Sequence, residues 1–249
     1  MTTPATPVYL TGVSTSDARQ SDRRDLGLLI SPANSTHRDV DSFPMFAADN
    51  GFYGLGAKSD PTPELEAEAI ARWRTWIAGV VAPLRERCLF VTIPDVLRWI
   101  TVDGRRIPVG DAEATLARFH VHAAEARSFG LPVALVLQDG IELEADGLVA
   151  GDERVTWSDV DAVFVGGSDD FKLGPVAEAI CREARRRGLW AHVGRVNSWK
   201  RLARVRGYSD SVDGTFLRFG RKGENFPRLT AWLDRLAGEP EPEPLPLAA

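Results

Sequence analysis

Asp213, in the stretch SDSVDGTFLRFG (residues 209–220), follows a short apolar step and precedes a glycine. A carboxylate placed there stands at the end of a strand with room beside it for a ligand. It is a candidate nucleophile or general base. Asp210 lies three residues earlier, and side chains alternate along a strand, so it points elsewhere. The same residues also fit an Asx-turn whose carboxylate only bonds backbone amides. Asp49 stands in AADNGFYG (47–54), which also reads as a plain turn, with the aromatic pair Phe52-Tyr53 just beyond it. Such rings can stack on a flat base, or can simply be core. Asp95 in VTIPDV and Gln138 in VLQDG supply a carboxylate and an amide able to read the polar edge of a purine. The glycine pair Gly166-Gly167 in VFVGGSDDFKLG lets a ligand approach the backbone closely. Lys172 can hold a phosphate, or pair with Asp169 or Asp170.

Each of these groups follows a short apolar run: Met45–Ala48, Leu89–Ile93, Val133–Leu137, Ala162–Val165, Leu189–Val193 and Ser211–Val212. Two earlier runs, Val8–Leu10 and Leu26–Ile30, bring the strand candidates to eight. Helical spacing with proline or glycine punctuation predicts helices over 61–82, 111–128, 175–187, 199–205 and 227–237. Strands alternating with helices argue for a parallel sheet, and eight strands suffice to close it. The competitor, an open doubly wound sheet, usually carries a glycine-rich first turn, and none follows the first strand here. The expected fold class is α/β: a (β/α)8 TIM-type barrel over residues 1–237, one domain with an irregular N-terminal part. The acidic, proline-rich tail from 238 to 249 is expected to be disordered.

Composition is that of a globular protein, and no apolar run approaches the roughly 18 residues of a membrane span. The N-terminus has no secretion signal pattern, so a cytoplasmic protein is expected. Cys88 and Cys181 read as buried thiols, and no His/Cys spacing suggests a metal site or a cofactor. Net charge is −5, yet residues 171–230 carry fourteen Lys/Arg against five Asp/Glu, a local +9. That imbalance suits a phosphate-contacting face, although a solvated helix surface explains it equally well.

These spaced motifs, between Ala47 and Phe219, resemble the tRNA-guanine transglycosylases, and more closely the short phage and bacterial relatives implicated in placing 7-deazaguanines in DNA. Asp49-Asn50-Gly51-Phe52 resembles the family's aspartate–serine–glycine–glycine–phenylalanine turn, departing from it after the aspartate. Asp95, Gln138 and Gly166-Gly167 fall where the family binds its base. Asp210 to Asp213 matches its aspartate-x-x-aspartate step, with Asp213 in the nucleophile's place. His192-Val193-Gly194-Arg195-Val196 echoes a histidine-x-x-glycine-valine-like run. The tRNA enzymes follow the nucleophile with a cysteine-rich zinc site. This chain has no cysteine after Cys181, which shifts the expected substrate towards DNA.

The resemblance implies base exchange by double displacement. Asp213 is the nucleophile, and Asp49 protonates the departing guanine. Asp95, Gln138, Gly166, Gly167 and Phe52 hold the base, while Lys172, Arg195, Lys200, Arg201 and Arg204 contact the nucleic-acid backbone. The implied partners are nucleic acid, DNA favoured over tRNA, and a free 7-deazaguanine base, with a homodimer or a partner protein also open. Two other readings stay open. One is an N-glycosidase, which would leave free sugar ends. The other is a non-catalytic nucleic-acid-binding subunit, which would have no need of two opposed carboxylates.

Overall fold

The computed structural model describes residues 6–34, 36–55, 61–219 and 223–238. The acidic tail beyond residue 238 lies outside them. Eight parallel strands close into a barrel in strict chain order: Val8–Thr11, Leu26–Ile30, Phe46–Ala48, Cys88–Thr92, Val133–Leu137, Ala162–Val165, Trp190–Val193 and Ser211–Gly214. The last strand pairs with the first, Val8 opposite Ser211 through Thr11 opposite Gly214. These are the eight strands expected from the apolar runs, and the fold is a single TIM-type barrel.

Alternation divides each strand between two cores. Val8, Leu10, Ala47, Phe90, Ala134 and Ala162, with Phe164 and Trp190 against them, form the small inner cluster. Tyr9, Leu28, Phe46, Ala48, Val91, Leu135, Val163 and Val212 belong to the large outer one, which the helices cover. Continuing the inward parity upward from Ala47, Phe164 and Ser211 arrives at Asp49, Gly166 and Asp213. Period two thus places the chemical groups on the barrel's inner, carboxyl-terminal layer.

The helical ring is less regular than the barrel. Helices at Ala112–Ser128, Pro175–Arg186, Trp199–Val205 and Asn225–Gly238 lie close to the expected spans. The helix expected over 61–82 ends at Trp76 and continues as a π turn over Ile77–Val81, closed by the Ala82 amide bonding the Ile77 carbonyl. A 3-10 turn, Ala82–Arg87, carries Pro83 in its first turn, where a missing amide costs no helical bond.

Two insertions were not expected from the sequence. After the fourth barrel strand comes an antiparallel hairpin, Leu97–Val102 with Arg105–Gly110. After the fifth, a three-stranded sheet (Glu142–Glu144, Gly147–Ala150, Glu153–Thr156) stands where a helix would. No helix among the described residues is long and apolar enough to cross a membrane.

Candidate active site

A cavity of about 570 Å³ opens at the carboxyl ends of the strands. Asp49, Asp95, Gln138, Gly166, Gly167, Arg195 and Asp213 all line it, together with Asn50, Tyr53, Asp139 and Asn197. The hairpin residues Leu97 and Ile107–Gly110 form one wall.

Asp213 is buried and accepts hydrogen bonds at both oxygens. His192 Nε2 lies 3.0 Å from Oδ2, and the Arg195 amide donates to Oδ1 at 3.2 Å. Arg195 has a left-handed backbone, φ +58°, which turns that amide inward. Its guanidinium donates to the Gly167 carbonyl (2.6 Å) and the Tyr53 hydroxyl (3.2 Å), bridging the cavity mouth. Asp210, on the other face of the strand, accepts from Arg185 Nε at 3.1 Å and from the Ala191 amide at 2.8 Å. It fastens the lower half of the barrel and is remote from the cavity.

Asp49 accepts from the Gly51 amide at 3.2 Å and lies 3.5 Å from Thr92 Oγ1. Burial, reinforced by the negative charges of Asp95 and Asp213, pushes its carboxyl up to about 7. Asp95 is also raised by burial, against the hydrogen bonds that it accepts. Asn50 Nδ2 reaches its Oδ1 at 3.2 Å, and Gln138 Nε2 reaches its Oδ2 at 2.7 Å. Gln138 in turn accepts from Thr115 Oγ1 at 3.2 Å. Asp95 and Gln138 therefore form one fixed polar unit rather than two independent arms.

Gly166 and Gly167 border the cavity, and the backbone requires glycine at the second. Gly167 has φ +66°, and a Cβ there would stand 2.7 Å from an Asp139 carboxylate oxygen. Asp139 accepts from both the amide and the hydroxyl of Ser168, at 2.8 and 2.6 Å, which pins the two loops together.

Phe52 departs from the role expected of it. The Asn50 carboxamide caps its amide at 2.9 Å, and the 3-10 turn over Phe52–Gly54 sends the ring into the outer core beside Arg118. Tyr53, half exposed at 51%, is the aromatic at the cavity instead.

The basic residues divide as well. Lys172 is 1% exposed, with Nζ 3.1 Å from Asp169 Oδ1, so it takes the pairing alternative and presents no charge to solvent. Arg201 binds Asp169 and the Arg195 carbonyl, while Arg204 binds Glu178. Of the three on this short helix, Lys200 is the exposed one. An Asp169→Asn protein, which removes the charge facing the buried ammonium, is expected to be less stable than wild type in urea unfolding. Lys172→Met, of similar volume, is expected to lose much less; the reverse order would mean that the pair is not what holds this turn.

No protein-family model and no curated protein matches the chain. Among solved structures, one titled "Native KDPGal structure" is similar at 13% identity, covering 92% of this chain and 91% of its own, with a TM-score of 0.39. Among the described residues, no group of three or more His, Cys, Asp and Glu is arranged to hold a metal ion.

Four contributors to the site were given no role by sequence reasoning: Asn50 and His192, which stand only inside the resembling motifs, Asp139 and the 97–110 hairpin. Inward parity could have found His192, which lies two residues beyond Trp190 and two before Gly194. The hairpin had a signal too, Asp103-Gly104 between two alternating runs.

Proposed function

We propose that this chain is an enzyme, a guanine transglycosylase that exchanges a guanine in nucleic acid, DNA before tRNA, for a free 7-deazaguanine base. The observation that carries the reading is one cavity in which two of the lining carboxylates stand in different surroundings. Asp213 is fixed by donors at both oxygens, whereas Asp49 is pushed up to about 7, close to neutral pH. Nucleophile and general acid need that division of labour.

In the first displacement, an Asp213 oxygen forms a bond to the anomeric carbon as the bond to guanine N9 breaks. Asp49 gives its proton to the departing base. In the second, Asp49 takes a proton from the incoming base, whose nitrogen attacks the same carbon and releases Asp213. The Asp95–Gln138 unit faces the base edge, and Gly166-Gly167 leaves room beside it. The target nucleotide must leave its stack, at a cost of a few kcal/mol in a duplex.

The decisive experiment supplies labelled guanine with duplex DNA, single-stranded DNA or tRNA and counts the label in precipitated polymer. Label in DNA is the expected result. Label in tRNA alone would reassign the polymer. Free sugar ends without label would make the protein a hydrolase, and binding without either would make it a non-catalytic subunit.

A further inference from the structure

His192 belongs to none of the roles assigned so far, yet it is the side chain bound most directly to Asp213. It is wholly buried on the seventh strand, facing inward. Phe164 stacks on it at 4.5 Å and Phe90 meets it edge-on at 5.1 Å. A ligand in the cavity has no route to this imidazole. Any effect it has on the reaction passes through Asp213.

The hydrogen bonds around it have a direction. The Trp190 indole N–H can only donate, and it donates to Ser211 Oγ at 2.8 Å. The Ser211 hydroxyl then has its own proton to give, and His192 Nδ1 lies 2.8 Å away to accept it. Nδ1 as acceptor leaves the ring proton on Nε2, 3.0 Å from Asp213 Oδ2. In that tautomer the chain runs Trp190 to Ser211 to His192 to Asp213, each member donating to the next. The Gly194 backbone runs close to the same oxygen: a Cβ there would stand 3.2 Å from Oδ2 and 3.1 Å from the Phe164 ring.

We infer that His192 is the positioning residue of the Asp213 carboxylate: it immobilises Oδ2 through this buried chain, and Oδ1, tethered only by the Arg195 amide at 3.2 Å, is the oxygen that reacts. The identity of the reacting partner rests on the base-exchange reading; the orientation of the carboxylate does not. In the exchange itself, an Oδ1 lone pair forms the bond to the anomeric carbon and the carbon–N9 bond breaks. The carboxylate becomes a neutral ester whose carbonyl is Oδ2. In the return step the Oδ1–carbon bond breaks and the negative charge reappears on the carboxylate, where the His192 N–H stabilises it.

Two variants separate the hydrogen bond from the packing. His192→Phe keeps an aromatic ring between Phe90 and Phe164 and removes the donor. His192→Gln brings an amide N–H close to the position of Nε2 and gives up the ring. Loss of a hydrogen bond to a charged group predicts a kcat about 10- to 100-fold lower in His192→Phe, with KM for the polynucleotide unchanged within a few-fold. Partial recovery is expected in His192→Gln. Equal losses in both variants, or a loss confined to KM, would overturn the positioning role.

A measurement independent of any substrate keeps the two proposals apart. The chain has four histidines, so its imidazole nitrogen spectrum is readable by 15N NMR. An Nε2-protonated ring whose nitrogen signal shifts on Asp213→Asn is expected for His192. An Nδ1-protonated ring, or no response to Asp213→Asn, would overturn the inference. A normal NMR result in a protein that never forms a sugar adduct would sink base exchange and leave the Asp213–His192 unit standing.

Discussion

An Asp213→Asn protein incubated with guanine-containing polynucleotide and then denatured is expected to carry no covalently attached strand. Its exchange rate should fall by about 10⁴-fold or more, as when a covalent catalyst loses its nucleophile. The substitution keeps the shape of the side chain but removes its charge and leaves a poor nucleophile. Polynucleotide affinity should stay within a few-fold, because the side chain is buried and presents little of itself to a backbone passing the mouth. Mass spectrometry of the denatured mixture reads the adduct directly. An adduct that persists would move the nucleophile away from Asp213. Asp210 is a poor substitute, since Arg185 and the Ala191 amide hold it on the far side of the strand.

Asp49→Asn is expected to cost about 10²- to 10⁴-fold in the step that expels guanine. The wild-type rate of that step should fall as pH rises through about 7, where the carboxyl loses its proton. The variant should lack this limb. Single-turnover release of labelled guanine across pH 5–9 measures both. Stability carries a second signature of the same proton. The folded carboxyl holds its proton up to about pH 7, while the unfolded one releases it near its ordinary value of 3.8. Between those values the native state binds the additional proton, so stability contributed by Asp49 is present at low pH and is lost as pH rises through about 7. Replacing the acid with a neutral amide removes that slope. The variant's Tm relative to wild type should therefore improve from pH 5 to pH 8. A relative Tm that declined over the same interval would show that Asp49 is not held as a buried neutral acid.

The barrel was legible because two independent patterns agreed. Apolar runs marked all eight strands, and the helical spacing between them argued for a parallel sheet, while the period of two along a strand fixes which residues share a face. The opposite placement of Asp210 and Asp213 follows from the same period. What escaped was of two kinds. The 97–110 hairpin carried its signal openly: Asp103 and Gly104 both take positive φ, 49° and 74°, as a tight turn with matching twist requires. Strand–helix alternation, the dominant pattern of the chain, has no place for a hairpin and masks it. The fate of Phe52 was not legible in that way. Phe52 and Tyr53 are adjacent aromatics, and the choice between core and cavity is made by the Asn50 cap and by Arg118, which arrives from a distant helix. Lys172 is similar: only the fold shows that its neighbour Asp169 also receives Arg201.

The closure of the barrel has a consequence for how the protein comes into being. The strand bearing Asp213 pairs with the first strand of the chain, Leu10 lying opposite Asp213 itself. No other pairing of barrel strands spans so much sequence. A nascent chain lacking its final strand has neither a closed barrel nor Asp213, and so only part of the cavity's lining. The first and last barrel strands must meet before Asp213 joins Asp49 in one cavity, so the site is complete only once the barrel closes.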